Sequence, residues 1–232
     1  MRIVLISDTH SLHEVMTNPI PKGDVFIHAG DCTNVGEQHD LTRFVHWIQN
    51  LDFDTKIFIS GNHDFCFERK EQWFKNLINN ENLNQSNCYY LEDDFITIEY
   101  PEFSRPIKIY GTPWQPWFHD WAFNVQRDKI SPYWDKIPLD TDILITHGPP
   151  MGILDLTLRG DTPGCASLLT YVEKIKPVLH IFGHIHEAYG KIKQGDTLFI
   201  NASICSSRYI PSNKPIIIDL TEINGKLITN II

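Results

Sequence analysis

Short apolar runs that stop abruptly in polar turns recur along the chain. Ile3 to Ile6 ends at Ser7-Asp8-Thr9-His10, Asp24 to Ala29 ends at Gly30-Asp31-Cys32, and Ile57-Phe58-Ile59 ends at Ser60-Gly61-Asn62-His63-Asp64. Farther on, Asp142 to Thr146 ends at His147-Gly148-Pro149-Pro150, and Val178 to Phe182 ends at Gly183-His184-Ile185-His186. Runs of this length and composition predict buried strands. Leu198 to Ala202, Pro215 to Leu220 and Lys226 to Ile231 are expected as further strands. A helical period appears between them. Leu41, Phe44, Val45 and Ile48 share one face of a helix over Glu37 to Leu51, and Trp73, Phe74, Leu77 and Ile78 share one over Glu68 to Ile78. A third helix is expected from Ala166 to about Lys176. Tyr89 to Leu91, Phe95 to Glu99 and Ile107 to Tyr110 read as strands, expected to pair antiparallel because their links are too short for crossover helices. The Asn-rich run Asn79 to Asn87 reads as an exposed loop, and Arg127 to Lys136 as a short helix interrupted by Pro132. The aromatic, proline-rich segment Gly111 to Asn124 reads as a packed surface loop.

This succession fits one α/β domain over residues 1–232, with no repeat, linker or low-complexity boundary. A hydrophobic fraction of 42% and a charged fraction of 21% are those of an ordinary folded protein, which argues against extended disorder. The formal charge of −9, with no basic cluster, argues against a duplex nucleic-acid partner. It does not argue against a phosphate substrate, because a bound metal pair reverses the field locally. The five cysteines are odd in number, scattered and never in a C-x-x-C pair, which disfavours a disulfide framework and a thiolate zinc site. The first apolar run is too short for a signal peptide and no run approaches a membrane span, so a cytoplasmic location and no membrane partner are expected.

The polar groups at the strand ends change the picture. Asp8 and His10, Asp31, Asn62 and His63, His147, and His184 and His186 all stand at the C-terminal ends of expected strands. That edge of an open α/β sheet is where residues distant in sequence assemble a site. Oxygen and imidazole donors without thiolates suit borderline divalent ions such as Mn²⁺, Fe²⁺ or Zn²⁺. Taken alone, His63 can ligate a metal or move a proton, and Asp64 can fix its tautomer.

Asp8-x-His10, Gly30-Asp31, Gly61-Asn62-His63-Asp64, His147 and Gly183-His184-x-His186 resemble, in order, the motif set of the calcineurin-like metallophosphoesterases. The match covers nearly the whole chain. Thr112-Pro113-Trp114-Gln115-Pro116-Trp117, Trp121-Ala122-Phe123-Asn124, Thr146 to Pro150 and Ile200-Asn201-Ala202-Ser203 look more narrowly like the metallophosphoesterase-domain-containing (MPPED) branch. The resemblance implies a four-layer sandwich of two mixed β-sheets flanked by helices. It implies two divalent ions, Mn²⁺ foremost: one held by Asp8, His10, Asp31 and His186, the other by Asp31, Asn62, His147 and His184, with Asp31 bridging. It also implies hydrolysis of a phosphodiester, including cyclic nucleotides, by a metal-bridging hydroxide. His63 would then not be a ligand but the catalytic group that gives a proton to the leaving oxygen, with Asp64 orienting it. The expected partner is a small phosphoester or nucleotide, and the resemblance is compatible with a homodimer. Phosphomonoester or nucleotide hydrolysis on the same centre, and a weakly active nucleotide-binding protein, are the alternatives.

The remaining histidines, His13, His28, His39, His46, His119 and His180, read as structural or solvated. Cys32 reads as a small buried thiol. Trp114, Trp117 and Trp121 are expected to anchor their loop, the alternative being a wall on which a base stacks. Arg159 in its Gly/Pro loop either meets a substrate phosphate or stands in solvent.

Overall fold

An apolar strand buried on both faces has to be covered on both faces, and this chain meets that demand by stacking two sheets. The computed structural model describes residues 1–232. In chain order the elements are β1 (Arg2–Ile6), β2 (Val25–Ala29), α1 (Gln38–Gln49), β3 (Thr55–Ile59), α2 (Phe65–Arg69), α3 (Glu71–Asn80), β4 (Cys88–Tyr90), β5 (Asp94–Ile98) and β6 (Ile107–Thr112). Then come β7 (Gln115–Pro116), β8 (Asn124–Val125), α4 (Ser131–Trp134), β9 (Ile143–Thr146), α5 (Ala166–Ile175), β10 (Leu179–Phe182), β11 (Gly190–Gln194), β12 (Thr197–Asn201), β13 (Ile216–Ile223) and β14 (Lys226–Ile231).

The first sheet runs β14-β13-β1-β2-β3-β4 and the second β11-β12-β10-β9-β6-β5. β1 to β4 are parallel, as are β6, β9, β10 and β12, while β13, β14, β5 and β11 run antiparallel to their neighbours. Alternation along each strand sorts the side chains. Ile3, Leu5, Ile27, Ile57 and Ile59 meet Ile109, Ile143, Ile145, Ile181 and Ile200 between the sheets. The opposite face of the first sheet, Val4, Ile6, Phe26 and Phe58, packs on Leu41, Phe44, Val45 and Ile48 of α1 and on Phe67 and Phe74. Tyr110, Leu144, Phe182 and Phe199 on the outside of the second sheet pack on Trp134 and on Leu168, Tyr171 and Val172 of α5. Helix, sheet, sheet and helix form four layers, the expected sandwich of two mixed sheets.

Several local expectations are corrected. β4 does not pair with β5. It joins β3 in parallel, because α2 and α3 form the crossover between them, and the chain passes from one sheet to the other over Leu91 to Asp93. Asp93 stabilises that passage by accepting hydrogen bonds from Thr112 Oγ1 at 2.6 Å and from Trp114 Nε1 at 3.1 Å. The helix expected over Glu68 to Ile78 is two helices broken at Lys70, whose φ of −131° is not helical. A 3₁₀ turn, Leu83–Ser86, lies within the expected Asn-rich loop. Pro132 does not interrupt α4 but opens it, where its missing N–H costs nothing. Within the aromatic segment β7 and β8 pair over two residues.

Candidate metal centre

The parallel strands of both sheets point their C-terminal ends at one edge. There the sheets converge: Ser7, just past β1, forms an isolated parallel bridge with Ser203, just past β12. Asp8 N–H donates to Gly30 O at 2.9 Å and Gly183 N–H to His147 O at 2.9 Å, so neighbouring strand ends are laced together. Asp8, His10, Asp31 and His184 all adopt positive φ, at 51°, 44°, 55° and 68°. Each such non-glycine residue costs about 1 kcal/mol or more, and their concentration here marks a place where geometry is held against backbone preference. Two glycines leave room for the carboxylates. A Cβ at Gly183 would lie 2.0 Å from Asp8 Oδ2, and one at Gly61 would lie 2.3 Å from Asp31 Oδ1.

The structure brings all nine sequence-derived residues to this edge, but not into the same role. Asp8, His10 and His186 place one donor atom each within 4.8 Å of one another, and Asp31, His147 and His184 do the same. A third set, His10, Asp31 and His63, overlaps both. Asp31 Oδ2 lies 3.3 Å from His147 Nε2 and 3.9 Å from His10 Nε2, so one carboxylate faces both groups. Asn62 Oδ1 is 2.9 Å from His147 Nε2.

Backbone carbonyls assign the tautomers. His147 Nδ1 lies 3.0 Å from Ala29 O, His186 Nδ1 3.1 Å from Ser206 O, and His63 Nδ1 2.6 Å from Asn34 O. A carbonyl accepts only, so in each ring Nδ1 carries the hydrogen and neutral Nε2 presents a lone pair inward. The lone pair of His147 is then aimed at Asn62 Oδ1 and Asp31 Oδ2, and that of His186 stands 3.4 Å from Asp8 Oδ1 and 3.1 Å from His10 Nε2. Acceptor facing acceptor in a buried site is repulsive unless a metal ion, or a second proton on the imidazole, lies among them. Buried His10 Nδ1 has no protein partner. The donor set and its convergence therefore fit divalent metal ions.

The acid–base balance shows the same demand for positive charge. Burial lowers His10 to about 4, and burial together with nearby His147 lowers His184 to about 3. Burial also opposes the charged form of His147, but Asp31 outweighs it and pushes this imidazole up to about 9. Burial would raise Asp8 and Asp31, yet His186 and His147 respectively hold them below the usual carboxylate range.

Asp64 requires a correction. It does not orient His63. Its carboxylate accepts from Gly61 N–H at 2.9 Å, Thr33 N–H at 2.8 Å, Thr33 Oγ1 at 2.7 Å and Cys32 N–H at 3.2 Å. These donors come from the loops after β2 and β3, making Asp64 a clasp between them. Asn34 O holds His63 instead, an interaction that residue type could not reveal because it uses a backbone atom. Ser7 and Ser203 were also not anticipated. The Ser7 hydroxyl donates to Asp8 Oδ2, and the single proton of Ser203 Oγ is shared between Asp8 Oδ2 at 2.8 Å and Asn201 Oδ1 at 2.9 Å. Their signal was Asn201-Ala202-Ser203 at the end of one more apolar run.

The other histidines stand apart from the three donor sets. His28 and His180 are buried, with Nε2 2.9 Å from Thr9 Oγ1 and Thr146 Oγ1 respectively. His13 is structural as well, buried against Phe44 and Trp47. Cys32 is buried and free, as are the other four cysteines.

The donor sets open into a cleft of about 550 Å³ lined by Trp117, Phe118, Trp121, Arg159 and Tyr209, among others. The three tryptophans of the aromatic segment divide. Trp114 packs between Phe123 and Tyr133, whereas Trp117 is 52% exposed at the rim and Trp121 lies against His63 with ring centroids 4.1 Å apart. Arg159 lines the cleft on an exposed stretch of its loop. A larger hollow of about 670 Å³ lies at the other end of the second sheet, but Arg105 and Lys108 there are paired with Asp142 and Asp140.

Comparison with known proteins accords with this geometry. The profile described as "Calcineurin-like phosphoesterase" matches residues 1–188. The chain belongs to the calcineurin-like phosphoesterase family. Metallophosphoesterase domain-containing protein 1 of Homo sapiens is 42% identical over 94% of this chain and 71% of its own length. A UPF0046 protein of Caenorhabditis elegans is 38% identical over 97% of this chain and 83% of its own. Among solved structures, TT1561 of Thermus thermophilus superposes with a TM-score of 0.60 over 99% of this chain and 98% of its own at 12% identity, a likeness of fold alone. Membership in this dimetal-dependent family implies a metal-dependent phosphoester hydrolase, and the two donor sets are where its ions would bind. No helix is long and apolar enough to cross a membrane.

Proposed function

We propose that this phosphoesterase hydrolyses phosphodiesters, cyclic nucleotides included, at two divalent ions. Asp8, His10, Asp31 and His186 would hold one ion and Asp31, Asn62, His147 and His184 the other. The observation that carries the proposal is the single carboxylate of Asp31 facing both donor sets. When bound, such a pair supplies a water made nucleophilic near neutral pH and positive charge for the phosphoryl oxygens. Donors limited to oxygen and imidazole accommodate Mn²⁺, Fe²⁺ or Zn²⁺ alike, and the family resemblance puts Mn²⁺ first among them. A cytoplasmic enzyme, with self-association as a homodimer, completes the proposal.

The chain's own residues contribute positioning and proton transfer. His63 keeps Nδ1–H on Asn34 O, which turns Nε2 toward the cleft, 4.0 Å from Asp31 Oδ2. To give a proton to the departing oxygen from that atom, the ring must first carry a second proton on Nε2, and the transfer leaves it as the neutral Nδ1–H form. Ser7, Ser203 and the His184 N–H hold the Asp8 carboxylate, and His63 N–H donates to Asp31 Oδ1 at 2.8 Å, so both anionic ligands are fixed before substrate arrives.

The test is a screen of Mn²⁺-loaded protein against cyclic nucleotides, linear diesters, monoesters and a nitrophenyl diester. Diester turnover is expected. In His63→Ala, poor leaving groups should slow by roughly 100-fold, nitrophenolate far less, with metal content unchanged. Preference for monoesters would favour the phosphomonoesterase or nucleotidase alternative, and equal loss on both diester types would remove His63 as donor. Tight nucleotide binding without turnover would favour the weakly active binding protein.

A further inference from the structure

Trp121 is the aromatic residue of the cleft that neither plain loop packing nor a base-stacking wall accounts for. Its indole lies over the His63 imidazole at 4.1 Å between centroids, tilted by 39°. Behind it Phe65 stacks on the indole at 5.6 Å and 24°, and the Arg69 guanidinium caps Phe65 at 4.1 Å. Arg69, Phe65, Trp121 and His63 thus form one column that starts on α2 and ends at the imidazole. Two backbone bonds fasten the aromatic segment to the same region: Ala122 N–H donates to Asn62 O at 3.1 Å, and Phe123 N–H to Glu68 Oε1 at 3.1 Å.

An imidazole turns about χ1 and χ2, and one hydrogen bond at Nδ1 fixes a point on the ring but not its plane. The plane needs contacts on the ring itself. Trp121 supplies a face, and His10 stands edge-on at 4.5 Å and 76°. We propose that Trp121 is a positioning residue that fixes the plane of His63 so that Nε2 points into the cleft. The proposal rests on the proton-donor role given to His63 above. Phe65 and Arg69 brace the indole from behind, so the device extends to residues that touch no substrate.

The test has one arm that needs no catalysis. In Zn²⁺-loaded protein, NMR of imidazole ¹⁵N and carbon-bound protons should show His63 as a single Nδ1–H tautomer, with its ring protons shifted upfield by the indole. Trp121→Ala should leave the Nδ1–H tautomer set by Asn34 O but increase ring motion, read from ¹³C relaxation of the imidazole C–H groups, and Trp121→Phe should restore most of the order. If the His63 ring remains as rigidly ordered in Trp121→Ala as in wild type, the positioning role is overturned whatever the activity.

The second arm is kinetic. Trp121→Ala should lower kcat on poor leaving groups roughly 10-fold or more, with KM and metal content within about twofold, and should add nothing in a His63→Ala background. A raised KM with unchanged kcat would make Trp121 a substrate wall instead and overturn the proposal, as would an equal loss in the His63→Ala background. If loaded wild-type protein cleaves no phosphoester, the enzymatic reading fails and the NMR arm alone decides the role of Trp121.

Discussion

Three imidazoles at the strand ends are set by one device, an Nδ1–H given to a backbone carbonyl: His63 to Asn34, His147 to Ala29 and His186 to Ser206. The device leaves Nε2 free for a metal or a proton without using another side chain. It also explains why Asp64, next to His63 in sequence, is free for a different task. Buried and bonded to donors from Cys32, Thr33 and Gly61, it should act on stability. Asp64→Ala is expected to lose about 3 kcal/mol or more in urea unfolding of metal-free protein, because several buried donors lose their acceptor together. Unchanged stability with a His63→Ala kinetic profile would return Asp64 to the role of orienter. At this scale residue type made the donors legible, since Asp, Asn and His after an apolar run can do little else in such numbers. It concealed Asn34, which acts through its carbonyl, and Trp121, whose contact with His63 exists only after folding.

Among the elements, strands buried on both faces were the most legible: β1, β2, β3, β9 and β10 are mostly apolar, with His28, Lys56 and His180 as the polar residues inside them. β11 escaped because Gly190-Lys191-Ile192-Lys193-Gln194 is an edge strand, exposed along most of its length and charged as edges are. β4 was legible as a strand but not in its pairing, because a three-residue link between two strands does not reveal that it crosses between sheets. Within β2 and β10 sit His28 and His180, both pushed down to about 3 by burial against an ordinary value of 6.5. Between those values the unfolded chain binds more protons than the folded one. Their contribution is therefore intact above pH 6.5 and lost as pH falls through 6.5 toward 3, at up to about 1.4 kcal/mol per pH unit for each histidine. Denaturant titrations of metal-free protein from pH 7 to pH 5 should show this loss. His180→Gln, which can still donate to Thr146 Oγ1, should flatten the slope, and an unaltered slope would contradict the assignment.

For the whole molecule, the important fact is that neither of the two proposed ion sites takes all its donors from one sheet. Asp8 and His10 follow β1 in the first sheet but need His186 from the second, and His147 and His184 follow strands of the second but need Asp31 from the first. The apolar core between the sheets thus determines the distance between ligands as well as the stability of the fold. Metal uptake should be linked to folding, since ions that bind only the docked sheets stabilise the native state by mass action. The most direct test is the number of Mn²⁺ ions bound per chain at equilibrium in wild type and in Asp31→Ala, read alongside the thermal midpoint. Wild type should bind about two ions with a midpoint that rises with free metal, and Asp31→Ala about one or fewer. Fewer than about one ion in wild type, or full occupancy in Asp31→Ala, would contradict a bridged two-metal centre.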